Sequence, residues 1–252
     1  MDGIHLRLGR PLLAAPVRRR ACVLLACCAI LVAVLGVLFA HQAAADWLDR
    51  AIDTPIITWS RGHPGLAVRL ASPGSLIPAG VLSAAVAIAC LLTGRLNGAV
   101  LALLAVPVAV GLDEILLKPL FHRTYLGNLV YPSGHTTAMF AVAATVTVLL
   151  MVAPQATKGK VLRIAIPAAA CVLGCVVAVA VIGLRWHYFT DTVAGAAVGI
   201  GAVCGLALIL DLSIVRSWLA RASRQPPAAQ ERRSHAARGS TGGTLSFSAQ
   251  LG

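Results

Sequence analysis

Charge is what this sequence has least of. Asp, Glu, Lys and Arg together make up 12% of its 252 residues, and only nine are acidic, where an ordinary soluble domain has about a quarter of its residues charged. With 58% hydrophobic residues and a mean hydropathy of +0.85, that scarcity excludes a water-soluble globular fold and calls for lipid as the solvent. A contiguous basic face is lacking as well. The formal net charge is +12, yet Lys and Arg sit at the chain ends and between apolar blocks, so the polar surface that binds nucleic acid does not form. Cysteine is missing from the polar loops: Cys22, Cys27, Cys28, Cys90, Cys171, Cys175 and Cys204 all fall inside apolar runs. They read as small hydrophobes, neither a disulfide framework nor a zinc site. Cys171 and Cys175 have helical i, i+4 spacing, but no histidine or carboxylate accompanies them as a further metal ligand.

What the chain does have is six apolar stretches, each near the ~20 residues of helix that cross a hydrocarbon core. They are Ala21–Ala40, Leu76–Leu92, Leu96–Leu117, Thr136–Ala153, Ile164–Ile182 and Thr192–Leu210. Gly195, Gly199, Gly201 and Gly205 crowd the last of them, and small residues let helices approach closely in lipid. The expectation is an all-α polytopic membrane protein, a bundle of six transmembrane helices. A basic cytoplasmic N-terminus over 1–20 precedes the membrane domain over 21–210, and a basic tail over 211–252 follows it. Within the tail, Asp211–Ala222 suits an amphipathic helix, whereas Arg224–Gly252 has a disordered composition. No internal repeat is present.

Orientation follows from counting. With the N-terminus cytoplasmic, only Arg50, Arg61, Arg69, Lys118, Arg123 and Arg185 lie outside, which leaves fifteen of the 21 Lys and Arg inside. The positive-inside rule therefore places both termini in the cytoplasm of a cell-membrane protein. Arg18–Arg20, an apolar run and Ala43–Ala45 resemble a signal peptide, but the apolar run exceeds the usual ~7–15 residues, and a retained helix is expected. The segment from His41 to Ser75, with Trp47 and Trp59, suits a position at the outer membrane surface.

Three polar clusters then fall on one side, each against the end of a span: Lys118 to Arg123, Tyr131-Pro132-Ser133-Gly134-His135, and Arg185-Trp186-His187-Tyr188-Phe189-Thr190-Asp191. Ser133, Gly134 and His135 stand directly before an apolar helix, whose N-terminal N–H groups and partial positive charge suit a phosphate. Ser133 equally fits as a plain N-cap. His187 and Asp191 lie four apart, a spacing that lets the carboxylate accept from one ring nitrogen and leave the other exposed as a nucleophile or base. The alternative is an interfacial histidine beside a helix-start carboxylate. Lys118, Arg123 and Arg185 supply charge for a dianion. Glu114 stands four residues before Lys118 and is placed to hold its ammonium, although Lys118 also fits as a snorkelling helix-end residue. Asp113 reads as a helix-end charge or a weak functional hint, and His122 is ambiguous.

These residues resemble the type 2 phosphatidic acid phosphatase superfamily, which also includes undecaprenyl pyrophosphate phosphatases, glucose-6-phosphatase and vanadium haloperoxidases. Pro132–His135 matches its central motif, and His187-x-x-x-Asp191 its last one. The resemblance implies that His187 attacks phosphorus to give a phosphohistidine, with Asp191 orienting it. His135 would protonate the leaving oxygen and then activate water. Lys118, Arg123, Arg185, Ser133 and the Gly134 amide would hold the phosphate oxygens, and no metal or other cofactor is implied. Two positions depart from the pattern. The family's first motif runs Lys, six residues, Arg-Pro, where this chain has Tyr125 and Leu126 with Arg123 two residues earlier. The arginine usual before the last histidine is Val181 here, with Arg185 one turn on.

The function that follows is hydrolysis of a lipid phosphate monoester or polyprenyl pyrophosphate at the extracytoplasmic face. The partners are the lipid phosphate and the bilayer. A catalytically silent lipid-binding relative is the alternative. A transporter is disfavoured because the cores of the spans are nearly free of charge.

Overall fold

A computed structural model of the chain describes residues 12–151 and 160–222. Arg7 and Arg10, the end of the fourth expected span with Lys158, and the tail Arg224–Gly252 lie outside the described residues. The chain divides into two units, Met1–Leu212 and Ser213–Gly252; the second is described only to Ala222, where it is helical.

The first unit is helical nearly throughout. Helices α1 (Ala15–Phe39), α2 (Trp47–Gly62), α3 (Pro64–Ala71), α4 (Leu76–Leu92) and α5 (Leu96–Gly111) are followed by a π-helical segment, Leu112–Leu117, and the single turn α6 (Lys118–Phe121). Helices α7 (Gly134–Met151), α8 (Lys160–Gly183) and α9 (Phe189–Ala222) complete the order. Among the described residues, five stretches are long and apolar enough to cross a membrane, and Pro64–Gly74 with Leu76–Leu92, bent by 46°, makes a sixth if the pair is one span. The chain is an integral membrane protein with the expected helical bundle. The first span begins at Ala15, earlier than its apolar run, because Pro16 is tolerated in a first turn and Arg18–Arg20 continue the helix. The third carries on through the π segment to Phe121.

Burial is sorted by size, as lipid requires. Small residues such as Ala99, Ala102, Ala105 and Ala109 of α5 and Ala138 and Ala141 of α7 form the centre, while Ile30, Val37, Ile77, Leu92 and Ile115 face outward. Dispersion between closely packed backbones, not burial from water, is what holds such helices together. Helices α7 and α9 approach closely. A Cβ on Gly195 would lie 2.5 Å from the carbonyl oxygen of Ser133, and one on Gly199 would lie 2.5 Å from that of Thr137.

Helix α2 reverses the pattern of a water-soluble helix. Its N-cap, Asp46, accepts from the Asp49 N–H, and the residues it buries are Asp49, Asp53 and Ser60, while Trp47 and Trp59 are exposed. One strip of α2 is thus polar because it meets a polar interior. Between α6 and α7 lies a feature with no sequence signal: Thr124–Tyr125 and Asn128–Leu129 pair antiparallel, Thr124 opposite Leu129. Leu126 and Gly127 connect them with φ of 50° and 83°, as a type I′ turn requires.

Candidate active site

Three chain segments meet at one end of the bundle. The Ser133 N–H donates to the Asp191 carbonyl, the Thr124 N–H to Gln42, and the His41 N–H to Phe121. These backbone bonds set the loop before α7 against the start of α9, and the end of α1 against the hairpin. His135, in the first turn of α7, has its Nε2 3.4 Å from the Ser75 hydroxyl and its ring 5.3 Å from that of Trp186. Its ring centroid lies 6.5 Å from that of His187, so the two expected imidazoles share one site.

His187 is 7% exposed, and its Nδ1 lies 2.9 Å from the Val130 carbonyl. A carbonyl only accepts, so Nδ1 carries the proton and Nε2 presents its lone pair. Burial, and next the positive charge of Lys118, push the His187 pKa down to about 3, which keeps the ring neutral at ordinary pH. The expected orienting carboxylate is elsewhere. His187 precedes α9, so helical i, i+4 spacing to Asp191 does not apply. Asp191 stands at the third position of α9 and reaches back to the Tyr188 N–H, at 2.9 Å, as one half of a capping box does.

Lys118 and Arg185 flank the histidines. A cavity of about 460 Å³ is lined by Glu114, Lys118, Tyr125, Asn128, Gly134, His135, Arg185, Trp186 and His187, among others. The Lys118 ammonium lies 2.5 Å from Glu114 Oε1. Arg185 reaches the cavity through backbone geometry. The N–H groups of Arg185 and Trp186 return to the carbonyls of Ile182 and Val181, and Arg185 has a φ of 61°, which is the Schellman ending usually given to glycine. Its Nε lies 3.2 Å from the Tyr125 hydroxyl. Val181, at the position where the family has its arginine, is fully buried in the core. A Cβ on Gly134 would come within 2.9 Å of Glu114 Oε1 and 3.3 Å of Asp113 Oδ2, so Glu114 would have to move aside.

Two expected phosphate ligands are not at the cavity. Arg123 is fully buried and both its terminal nitrogens are engaged by protein: Nη1 donates to Asp191 Oδ1 at 2.6 Å and Thr190 Oγ1 at 2.7 Å, and Nη2 donates to Asp49 Oδ2 at 2.5 Å. The rings of Phe39 and Tyr188 lie 4.5 and 4.4 Å from its guanidinium carbon. It is therefore a structural hub. Ser133 is also fully buried, its hydroxyl 3.2 Å from that of Thr136, and its carbonyl begins α7 by accepting from Thr137, which puts Ser133 at the N-cap position. His122 stacks on His41 at 5.8 Å and does not line the cavity.

The hub brings in residues the sequence did not single out. Asp49 accepts from the Thr190 N–H and hydroxyl, and Asp53 from the Phe189 N–H, so two carboxylates of α2 cap the first turn of α9. Burial, then the neighbouring Asp49, raises the pKa of Asp53 to about 7. The signal was there to find: Asp46, Asp49 and Asp53 recur at helical spacing in a chain with nine acidic residues.

A sequence-family model described as the PAP2 superfamily matches residues 21–213. No curated protein and no solved structure matches the chain.

Proposed function

Because the chain belongs to the PAP2 superfamily, a family of membrane phosphatases acting on phosphate esters, we propose that it hydrolyses a lipid phosphate through a phosphohistidine. The observation that carries this reading is the cavity itself, where a neutral His187 oriented by Val130 faces His135 with Lys118 and Arg185 alongside.

In the first half-reaction His187 Nε2 forms a bond to phosphorus while the P–O bond to the lipid breaks, and protonated His135 gives its proton to the departing oxygen. In the second, His135 takes a proton from water as the water oxygen attacks phosphorus and the N–P bond breaks, releasing inorganic phosphate. Lys118, Arg185 and the N–H groups at the start of α7 stabilise the charge that builds on the three other oxygens. The orienting role first given to Asp191 passes to the Val130 carbonyl, and Asp191 acts one step back, by fixing the turn that carries His187.

A lipid substrate is supported by the position of the cavity at the end of the spans and by its rim, where Leu126 and Trp186 are exposed. Phosphatidic acid, phosphatidylglycerophosphate and polyprenyl pyrophosphate all place a phosphate there. The distribution of Lys and Arg supports an extracytoplasmic site. The test is phosphate release from a panel of these lipids by detergent-solubilised protein, in EDTA and with vanadate. We expect activity that survives EDTA, falls with vanadate and drops by more than ~10³-fold in His187→Ala. An active His187→Ala protein, or a strict magnesium requirement, refutes the mechanism.

A further inference from the structure

Glu114 is a carboxylate in a cavity built for an anion. Four residues before Lys118, it is placed to hold that ammonium. The geometry shows something further: Oε1 is 2.5 Å from Lys118 Nζ and 2.9 Å from the point where a Cβ of Gly134 would stand. The carboxylate thus lies between the cation and the first residue of α7, on the ammonium that a phosphate oxygen in this cavity would seek. Its side chain is 47% exposed whereas that of Lys118 is 12% exposed, so Glu114 is the partner with room to leave.

We propose that Glu114 is an internal competitor for the phosphate seat, and that it weakens the site's hold on inorganic phosphate, the product. This rests on the cavity being the phosphate site. Carboxylate and phosphate cannot occupy one seat, because both are anions seeking the same donors. Every phosphate must therefore break the Glu114–Lys118 pair, and that cost is the same for all. A lipid phosphate offsets it, since its apolar part partitions into the bilayer and holds the headgroup at high local concentration beside the site. Inorganic phosphate has no such anchor. After turnover, Glu114 returns to Lys118 and helps expel the product.

The two roles for Glu114 predict opposite signs. If it only holds Lys118 in place, Glu114→Gln loosens the cation, and phosphate binds more weakly. If it competes, Glu114→Gln strengthens product inhibition by inorganic phosphate about fivefold, the upper range for a partly exposed ion pair. It also raises kcat/KM for a short water-soluble phosphate ester and for a lipid phosphate in mixed micelles, by a similar factor because the cost removed is common to both. Glu114→Asp, one methylene too short to reach the seat, should move both quantities the same way, and it guards against a fault peculiar to Gln. Binding of inorganic phosphate by titration calorimetry gives a readout that does not depend on turnover. Unchanged or weakened phosphate inhibition in an active Glu114→Gln protein overturns the proposal alone. A wild-type protein that hydrolyses no phosphate ester overturns the reading it rests on.

Discussion

Arg123 and the Lys118–Arg185 pair come from the same polar clusters, yet they end in opposite environments. Arg123 is sealed among Asp49, Asp191, Thr190, Phe39 and Tyr188, with Nε alone lacking a partner among the described residues. Lys118 and Arg185 line an open cavity, and their contacts are one half-exposed carboxylate and one phenol. A cation whose hydrogen bonds are already taken cannot bind a ligand without leaving buried carboxylates bare. A cation with a single displaceable partner can. The difference separates the group that builds the site from the groups that meet the phosphate.

Mutating the two kinds of cation should give two kinds of failure. Arg123→Ala leaves Asp49 and Asp191 buried without their counter-ion, a loss of about 3–5 kcal/mol. We expect a large fall in the melting temperature of the detergent-solubilised protein, with Arg123→Lys failing to restore it because an ammonium cannot make the same fork of bonds. A stable Arg123→Ala protein with only a raised KM would erase the distinction. Lys118→Ala should keep its melting temperature and lose about 10²-fold in kcat/KM, as expected for one charge-stabilising donor. Arg185→Ala, exposed and held by one neutral partner, should lose less, about tenfold; a larger loss than at Lys118 would reverse their ranking.

The smallest effect tests the hub through pH. Asp53 caps α9, and its pKa rises to about 7 through burial and the nearby Asp49, with Arg123 opposing. A raised pKa means that the docked state prefers the protonated carboxyl. The contribution of Asp53 is thus complete below its free-chain value near 3.8 and is lost as pH rises through about 7. Hydrogen-exchange protection of α2 should therefore decline from about pH 4 to about pH 7 and level off above that, and Asp53→Asn should flatten that decline. An unchanged slope in the variant places the titration on another group.

The spans and the two histidines were legible because each is a local signal. Twenty apolar residues in a row need no partner to declare themselves, and Pro132–His135 and His187-x-x-x-Asp191 are compact. The hub was hidden because its bonds run between residues far apart in the chain, from Arg123 to Asp49 and to Asp191, and a single sequence records no such pairing. Asp191 was assigned to the wrong partner for a local reason: the spacing rule presumes that both residues lie on the helix, and His187 lies before it. Ser133 and Arg123 were given to the phosphate because residue type fits, but residue type does not report burial. The hairpin escaped because two-residue strands leave no periodicity to read.

The glycines at 195 and 199 have one more consequence. With the main chain of α9 lying directly on that of α7 at these two positions, and the Thr137 hydroxyl bonded across to the Gly195 carbonyl, the helix that begins at the Pro-Ser-Gly-His loop and the helix that begins just past His187 share a common bed with little room there to slide or repack. The gap between the two imidazoles is thereby cut into the scaffold like the jaws of a fixed gauge. Such an instrument does not clamp its workpiece; adjustment during a catalytic cycle falls to whatever is mounted on its rim.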